Sequence, residues 1–137
     1  MKQILGIDYG KQRVGVAVSD PLGIFASPLE TVPTANIINY LKTYTSKEEV
    51  EKFVVGYPVN MDNRPSEAAQ YVDIFLKQLR KAFPQIPVEL EDERFTSVLA
   101  FQSLIDSGVK KMDRRDKGAV DKVSAALILQ TYMDRKK

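Results

Sequence analysis

Met1-Lys2-Gln3-Ile4-Leu5-Gly6-Ile7-Asp8-Tyr9-Gly10-Lys11-Gln12-Arg13-Val14-Gly15 opens the chain, and its reading decides the fold. Ile4 to Ile7 is a short apolar run that predicts a strand stopping at Asp8, where Tyr9-Gly10 supply a tight turn. A second strand is predicted from Val14 to Ser19, with Val14, Val16 and Val18 alternating with Gly15, Ala17 and Ser19. Such a strand has one bulky face and one face of small side chains, and the small face lets a helix or a ligand backbone approach closely. Asp8 then stands at the end of a buried strand beside a turn. A carboxylate there is either a plain turn residue or a metal ligand, and a single residue does not choose between the two.

Working outward, Asp20-Pro21-Leu22-Gly23 has the residues of a type I turn. A third strand around Ile24 to Val32 completes an antiparallel meander. Thr34 is the predicted N-cap of a helix carrying Ile37, Ile38, Leu41 and Tyr44. Phe53 to Tyr57 reads as a fully apolar strand inside a covered sheet. A polar loop, Pro58 to Pro65, follows. Ser66 caps the next predicted helix, with Ala69, Val72, Phe75, Leu76, Leu79 and Phe83 on one stripe and Pro84 and Pro87 closing it. Val88 and Leu90 form a brief strand running into Glu91-Asp92-Glu93-Arg94. A helix capped by Thr96 turns Val98, Leu99, Phe101, Leu104 and Ile105 inward and ends at Gly108. After a polar loop from Lys110 to Gly118, a final helix from about Ala119 to Arg135 carries Val120, Val123, Leu127 and Ile128. The order β-β-β-α-β-α-β-α-α implies a mixed sheet with helices on both faces.

Composition narrows the chemistry. The chain has 137 residues, 44% hydrophobic and 28% charged, which implies one globular domain over 1–137 with a core large enough to need no staples. No apolar run is long enough to span a membrane, and the first strand pattern starts without a signal-peptide core, so a cytoplasmic location is expected. There is no cysteine and no histidine. Thiolate nucleophiles, disulfides, ordinary structural zinc and the commonest general base are therefore excluded. Hydrolytic chemistry here has to rest on carboxylates, hydroxyls, lysines or a bound metal. Carboxylate oxygens select Mg²⁺ or Mn²⁺ over zinc.

Three acidic positions stand at element ends: Asp8, the Glu91-Asp92-Glu93 cluster, and Asp121 in the first turn of the last helix. In open α/β sheets, ligands gather at the carboxyl ends of strands. Gathered carboxylates repel unless a cation sits among them, and two divalent ions roughly 4 Å apart would both relieve the repulsion and activate water. Each acid also has a plainer reading. The Glu-Asp-Glu run suits a solvated loop, and Asp121 suits a helix N-terminus through the macrodipole. Parity leaves the middle position open: Asp92 continues the Val88–Leu90 face, whereas Glu93 points the other way.

Gly6-Ile7-Asp8-Tyr9-Gly10, Val14-Gly15-Val16-Ala17, the segment Val55 to Met61, Asp92-Glu93-Arg94-Phe95-Thr96 and Lys117-Gly118-Ala119-Val120-Asp121 follow one another as in the YqgF family, which the chain closely resembles over nearly its whole length. The resemblance implies a ribonuclease H-like α/β fold, a mixed five-stranded sheet of a three-stranded antiparallel meander plus two parallel strands. It implies a nuclease acting on Holliday junctions or on precursor 16S rRNA in ribosome biogenesis. It assigns Asp8, Glu93 and Asp121 as a catalytic, metal-holding triad for one or two Mg²⁺ or Mn²⁺ ions, with Asp92 the other candidate for the middle place. The chain reads Asn60-Met61-Asp62-Asn63 where the family often ends that segment in Gly, a departure confined to one turn.

Net charge is only +2, so the distribution of basic residues matters more than their sum. Lys110, Lys111, Arg114, Arg115 and Lys117 lead straight to Asp121, and Lys11, Arg13 and Arg94 flank the other acids. With Asn60 from the Val55–Met61 motif, these are the expected contacts to nucleic acid, either precursor rRNA or branched DNA. Tyr9 and Tyr57 are rim or core aromatics, with base stacking the sharper reading. A non-catalytic nucleic-acid-binding or ribosome-assembly module is the alternative. Sugar kinases and actin-like ATPases also open with a Gly-x-Asp-x-Gly turn, but they need a second domain. Paired cuts in a junction favour a homodimer, whereas RNA trimming needs only a monomer.

Overall fold

The computed structural model describes residues 2–58, 68–92 and 117–136. β1 (Gln3–Tyr9) is the central strand; β2 (Arg13–Ser19) pairs antiparallel with it, and β3 (Ala26–Pro33) antiparallel with β2. On its other side β4 (Val50–Tyr57) and β5 (Val88–Asp92) run parallel, giving the order β3-β2-β1-β4-β5. This is the expected meander plus two parallel strands. Three helices are described: α1 (Ile37–Lys47), α2 (Ala68–Ala82) and α3 (Lys117–Lys136). The Ser66 cap, the loop beyond Pro58 and the helix expected between Thr96 and Gly108 lie outside the described residues.

The two faces of the sheet are packed differently. On one, Leu5, Ile7, Val14, Val16, Phe53 and Val55 meet Ile37 and Leu41 of α1 and Val72, Phe75, Leu76 and Leu79 of α2. Phe53 and Phe83 meet edge-to-face at 5.3 Å, and Tyr9 stacks on Phe75 at 4.4 Å. The opposite face offers Ala17 and Val54, covered by Ala125, Ala126, Ile128, Leu129, Tyr132 and Met133 of α3. Large residues fill the first face, while the second is thin.

Thinness corrects the expected stripe on the last helix. Ile128 faces the sheet as expected, but Val123 and Leu127 are only half-buried, and Ser124, Ala125 and Leu129 take the remaining inward places. A Cβ on Gly6 would lie 2.7 Å from Leu129 Cβ and 2.9 Å from the Ala125 carbonyl, so the helix backbone rests almost directly on the strands. Polar bonds hold it there. Gln130 accepts from the Ala26 N–H (2.9 Å) and donates to the Ile24 carbonyl (2.9 Å), while Lys52 donates to Glu89 (3.1 Å) and to the Tyr132 hydroxyl (3.0 Å).

Two local expectations are also corrected. β1 does not stop before Asp8 but continues through Tyr9, because Val14 and Gly15 of β2 remain in register with it. Thr34 does not cap α1. A short 3₁₀ turn, Thr34–Asn36, intervenes, and the Thr34 hydroxyl donates to the Gly10 carbonyl (2.6 Å), tying this turn to the β1–β2 hairpin. The Asp20–Gly23 turn forms as read: the Gly23 N–H donates to the Asp20 carbonyl (3.0 Å), with Gly23 at φ +70°.

Candidate active site

Asp8 lies opposite Gly15 in the β1–β2 ladder. Directly opposed residues in an antiparallel pair project to the same face, here the thin one that also carries Gly6 and Ala17. Above Gly15 sits the first part of α3. A Cβ at Gly15 would fall 2.0 Å from the Asp121 carbonyl oxygen and 2.3 Å from its carbonyl carbon, so only glycine admits the helix at this depth. The small face of β2 thus brings Asp121 onto the strand pair that carries Asp8. Both residues are half-buried, in contact with protein on one side and solvent on the other.

The parallel strands bring the third candidate region to the same edge. Ile7 pairs with Val55, and Val55 with Leu90, so Asp8 is level with Gly56 and Glu91. Alternation then separates the acids of β5. Asp92 pairs with Tyr57, which packs with the α1–α2 core, so Asp92 belongs to the face away from Asp8. Glu89 and Glu91 belong to the α3 face, since Glu89 bonds Lys52 and Tyr132, and Arg135 bonds Glu91. Glu93 lies outside the described residues, and among those described no three acids gather as a metal cluster.

Basic residues fall into two groups. Arg13, on the same face as Gly15, donates from Nε to Asp121 Oδ2 at 2.8 Å. Lys11, in the β1–β2 hairpin, places its ammonium 4.2 Å from the centre of the Tyr71 ring, a cation–π contact on the α2 side. Lys117 is the first residue of α3. Asn60, Arg94, Lys110, Lys111, Arg114 and Arg115 lie outside the described residues. Tyr57 donates its hydroxyl to Asp73 (3.0 Å), and burial raises the hydroxyl pKa of both Tyr9 and Tyr57 above the usual tyrosine value. With Tyr9 stacked on Phe75, both are rim aromatics tied into α2. Sequence reading missed Tyr71; its position three residues before Ile74, on the polar side of the α2 stripe, was the available signal.

Asp8 on β1 and Asp121 on α3, both on the thin face and level with the end of β5, offer hard oxygen donors of the kind that suits Mg²⁺ or Mn²⁺. Asp121 already takes a cationic partner, the guanidinium of Arg13. In donor chemistry alone, these two side chains fit such an ion.

The strand order, the mixed pairing and a helix laid over the central strands define a ribonuclease H-like α/β protein. Two solved structures of Thermus thermophilus RuvC share the fold, one of them in complex with a Holliday junction substrate. They superpose with TM-scores of 0.56 and 0.54 at 20% and 19% identity, covering 99% and 98% of this chain and 96% of each RuvC chain. The chain belongs to the RuvX family, the YqgF family of the sequence resemblance, whose model is described as Holliday junction resolvase and matches residues 2–135. A Phocaeicola vulgatus protein provisionally named a pre-16S rRNA nuclease is 52% identical over all of this chain and 99% of its own length. Relatives given the same name in Christiangramia forsetii and Porphyromonas gingivalis are 50% and 48% identical, covering 97% and 98% of this chain and 98% and 97% of their own lengths.

Proposed function

We propose that this protein is a metal-dependent endonuclease that hydrolyses phosphodiester bonds in structured nucleic acid, with precursor 16S rRNA as the first substrate to test and a four-way DNA junction as the second. One observation carries the reading: Gly15 lets the Asp121 backbone settle on the strand pair that presents Asp8. Family membership and the names of the relatives support the reaction class.

Asp8 and Asp121 are the proposed ligands for one or two Mg²⁺ or Mn²⁺ ions. Glu93 is the proposed third ligand in preference to Asp92, because Asp92 pairs with Tyr57 on the face away from Asp8 and the family resemblance assigns the place to Glu93. When bound, such an ion lowers the pKa of a coordinated water and stabilises the leaving oxygen, which suits a chain without histidine. Asp8, fixed in the β1 ladder, orients its carboxylate without loop motion. Arg13, with Lys11 across the hairpin and the basic run ending at Lys117, supplies positive charge to hold the phosphate backbone. Among the described residues no helix is long and apolar enough to cross a membrane, consistent with a cytoplasmic site of action.

Side-by-side cleavage of precursor 16S rRNA and a four-way junction, with Mg²⁺ and with chelator, tests the reading, and the protein's mass in the same buffer separates monomer from dimer. Asp8→Asn is expected to abolish cleavage and leave the melting temperature near that of the parent. Full activity in that variant would sink the site. Nucleic-acid binding without metal-dependent cleavage of either substrate would support the non-catalytic module instead.

A further inference from the structure

We propose that Arg13 is the resident cation of the Asp121 carboxylate and yields it to a divalent ion when a phosphate backbone arrives to take the guanidinium. The proposal rests on the metal reading above and deepens it, turning two separate binding events into one coupled event. Arg13 Nε lies 2.8 Å from Asp121 Oδ2, and the two side chains retain 37% and 25% of their exposure. Among the described residues this is a single N–H···O contact, not the two-bond fork by which arginine best grips a carboxylate or a phosphate. A half-exposed pair of this kind contributes little net free energy, so exchanging it is cheap. Arg13 therefore keeps a better bond in reserve, the planar bidentate grip on a phosphodiester.

The exchange has a direction. While the guanidinium sits on Oδ2, that oxygen serves a metal poorly, and the positive charge repels a divalent ion beside it. Once phosphate draws Arg13 away, both obstacles fall together. Because the coupling is reciprocal, metal bound at Asp121 must equally favour capture of phosphate by Arg13. Arg13 is thus a positioning residue that raises metal occupancy when nucleic acid is present.

Mn²⁺ titrations by calorimetry, without nucleic acid, on the parent, Arg13→Gln and Arg13→Lys test this. Arg13→Gln is expected to bind Mn²⁺ about tenfold more tightly, from removal of a unit charge a few ångströms from a divalent ion in a water-exposed site. Arg13→Lys keeps the charge and is expected to stay close to the parent. Equal or weaker Mn²⁺ binding in Arg13→Gln would overturn the exchange while leaving the metal site standing. No Mn²⁺ binding by the parent would overturn the metal reading and this inference with it. A readout on the unaltered chain guards against misfolding of the variant: the Arg13 Nε–H resonance should shift as Mg²⁺ saturates the protein. A resonance unmoved at saturation would also overturn the exchange.

Discussion

Gly15→Ala isolates the geometry on which the site depends. Gly15 is not at positive φ, so alanine can adopt its backbone conformation and the effect is one of space alone. The new Cβ would lie 2.0 Å from the Asp121 carbonyl oxygen and 2.9 Å from the Lys122 nitrogen, where ordinary contact begins at 3.4 Å. These are backbone atoms of a helix and cannot rotate aside. The start of α3 must therefore retreat by about an ångström or more, taking Asp121 with it. Overpacking of this kind costs about 1–3 kcal/mol, and a 1 Å misplacement of a reacting group costs about 10²-fold in rate. Urea denaturation should show the first effect, and single-turnover cleavage at saturating Mg²⁺ the second. Gly6→Ala is the control. Its Cβ would meet Leu129 Cβ at 2.7 Å and the Ala125 carbonyl at 2.9 Å, a comparable clash two residues along β1 from Asp8. It should lose stability of the same order but less activity. A Gly15→Ala protein with parental stability and rate would refute the close approach. One that loses stability while its folded fraction cleaves at the parental rate would refute the role given to Asp121.

Three further perturbations probe the frame around the site. Arg135→Leu should destabilise the chain by about 1–3 kcal/mol in urea, because it strips the partner from Glu91, a carboxylate only 6% exposed, and Arg135→Leu with Glu91→Gln should recover part of the loss. The N–H of Phe25, with that of Ile24, holds the Asp20 carboxyl below its ordinary pKa of 3.8, so the stability it lends is present above that value and fades as pH falls through the lowered one. Asp20→Ala should abolish that pH dependence and speed hydrogen exchange at the Ile24 and Phe25 amides. Burial, and then the neighbouring Glu30, push the Tyr40 hydroxyl from 10.0 up to about 12. The folded chain therefore keeps a proton that the unfolded chain loses above 10.0, and stability should decline with rising pH across that window. In Tyr40→Phe the decline should be shallower in urea melts on either side of pH 10.0.

How much of this was legible follows from which residues carried it. The bulky and small faces of β2 could be read from Val14 to Ser19, because period-2 alternation reports which side of a strand is crowded. The α2 stripe was equally plain, since Val72, Phe75, Leu76 and Leu79 are large residues at helical spacing on a helix with one buried face. The face of α3 was legible only in part: Ile128 could be read as inward, but Ser124 and Ala125, which are also buried against the strands, carry little hydrophobic signal. Nor could the sequence show that Thr34 bonds Gly10 rather than capping α1, or that Gln130 braces β3, since both partners are distant in the chain. Asp8 and Asp121 were singled out by type and place. Their meeting on one face depends on a register that alternation alone does not supply.

That register also explains why a site of this kind belongs on the thin face. The α1–α2 face is filled by side chains such as Phe53, Phe75 and Leu79, all fully buried, and an acid pointing into that packed centre would lose its water. On the other face, glycine and alanine remove side-chain volume from the strands, so α3 sits close while the β1 and α3 ends stay partly open to solvent. Carboxylates at that margin keep contact with water, yet are held by ladder and helix. The opposing arrangement, with Asp92 as the middle ligand, would require an acid to act through the sheet from the face of Tyr57. Replacing the two acids of β5 one at a time distinguishes the possibilities: Glu93→Gln is expected to abolish cleavage and Asp92→Asn to retain most of it. The reverse pattern would give the middle place to Asp92.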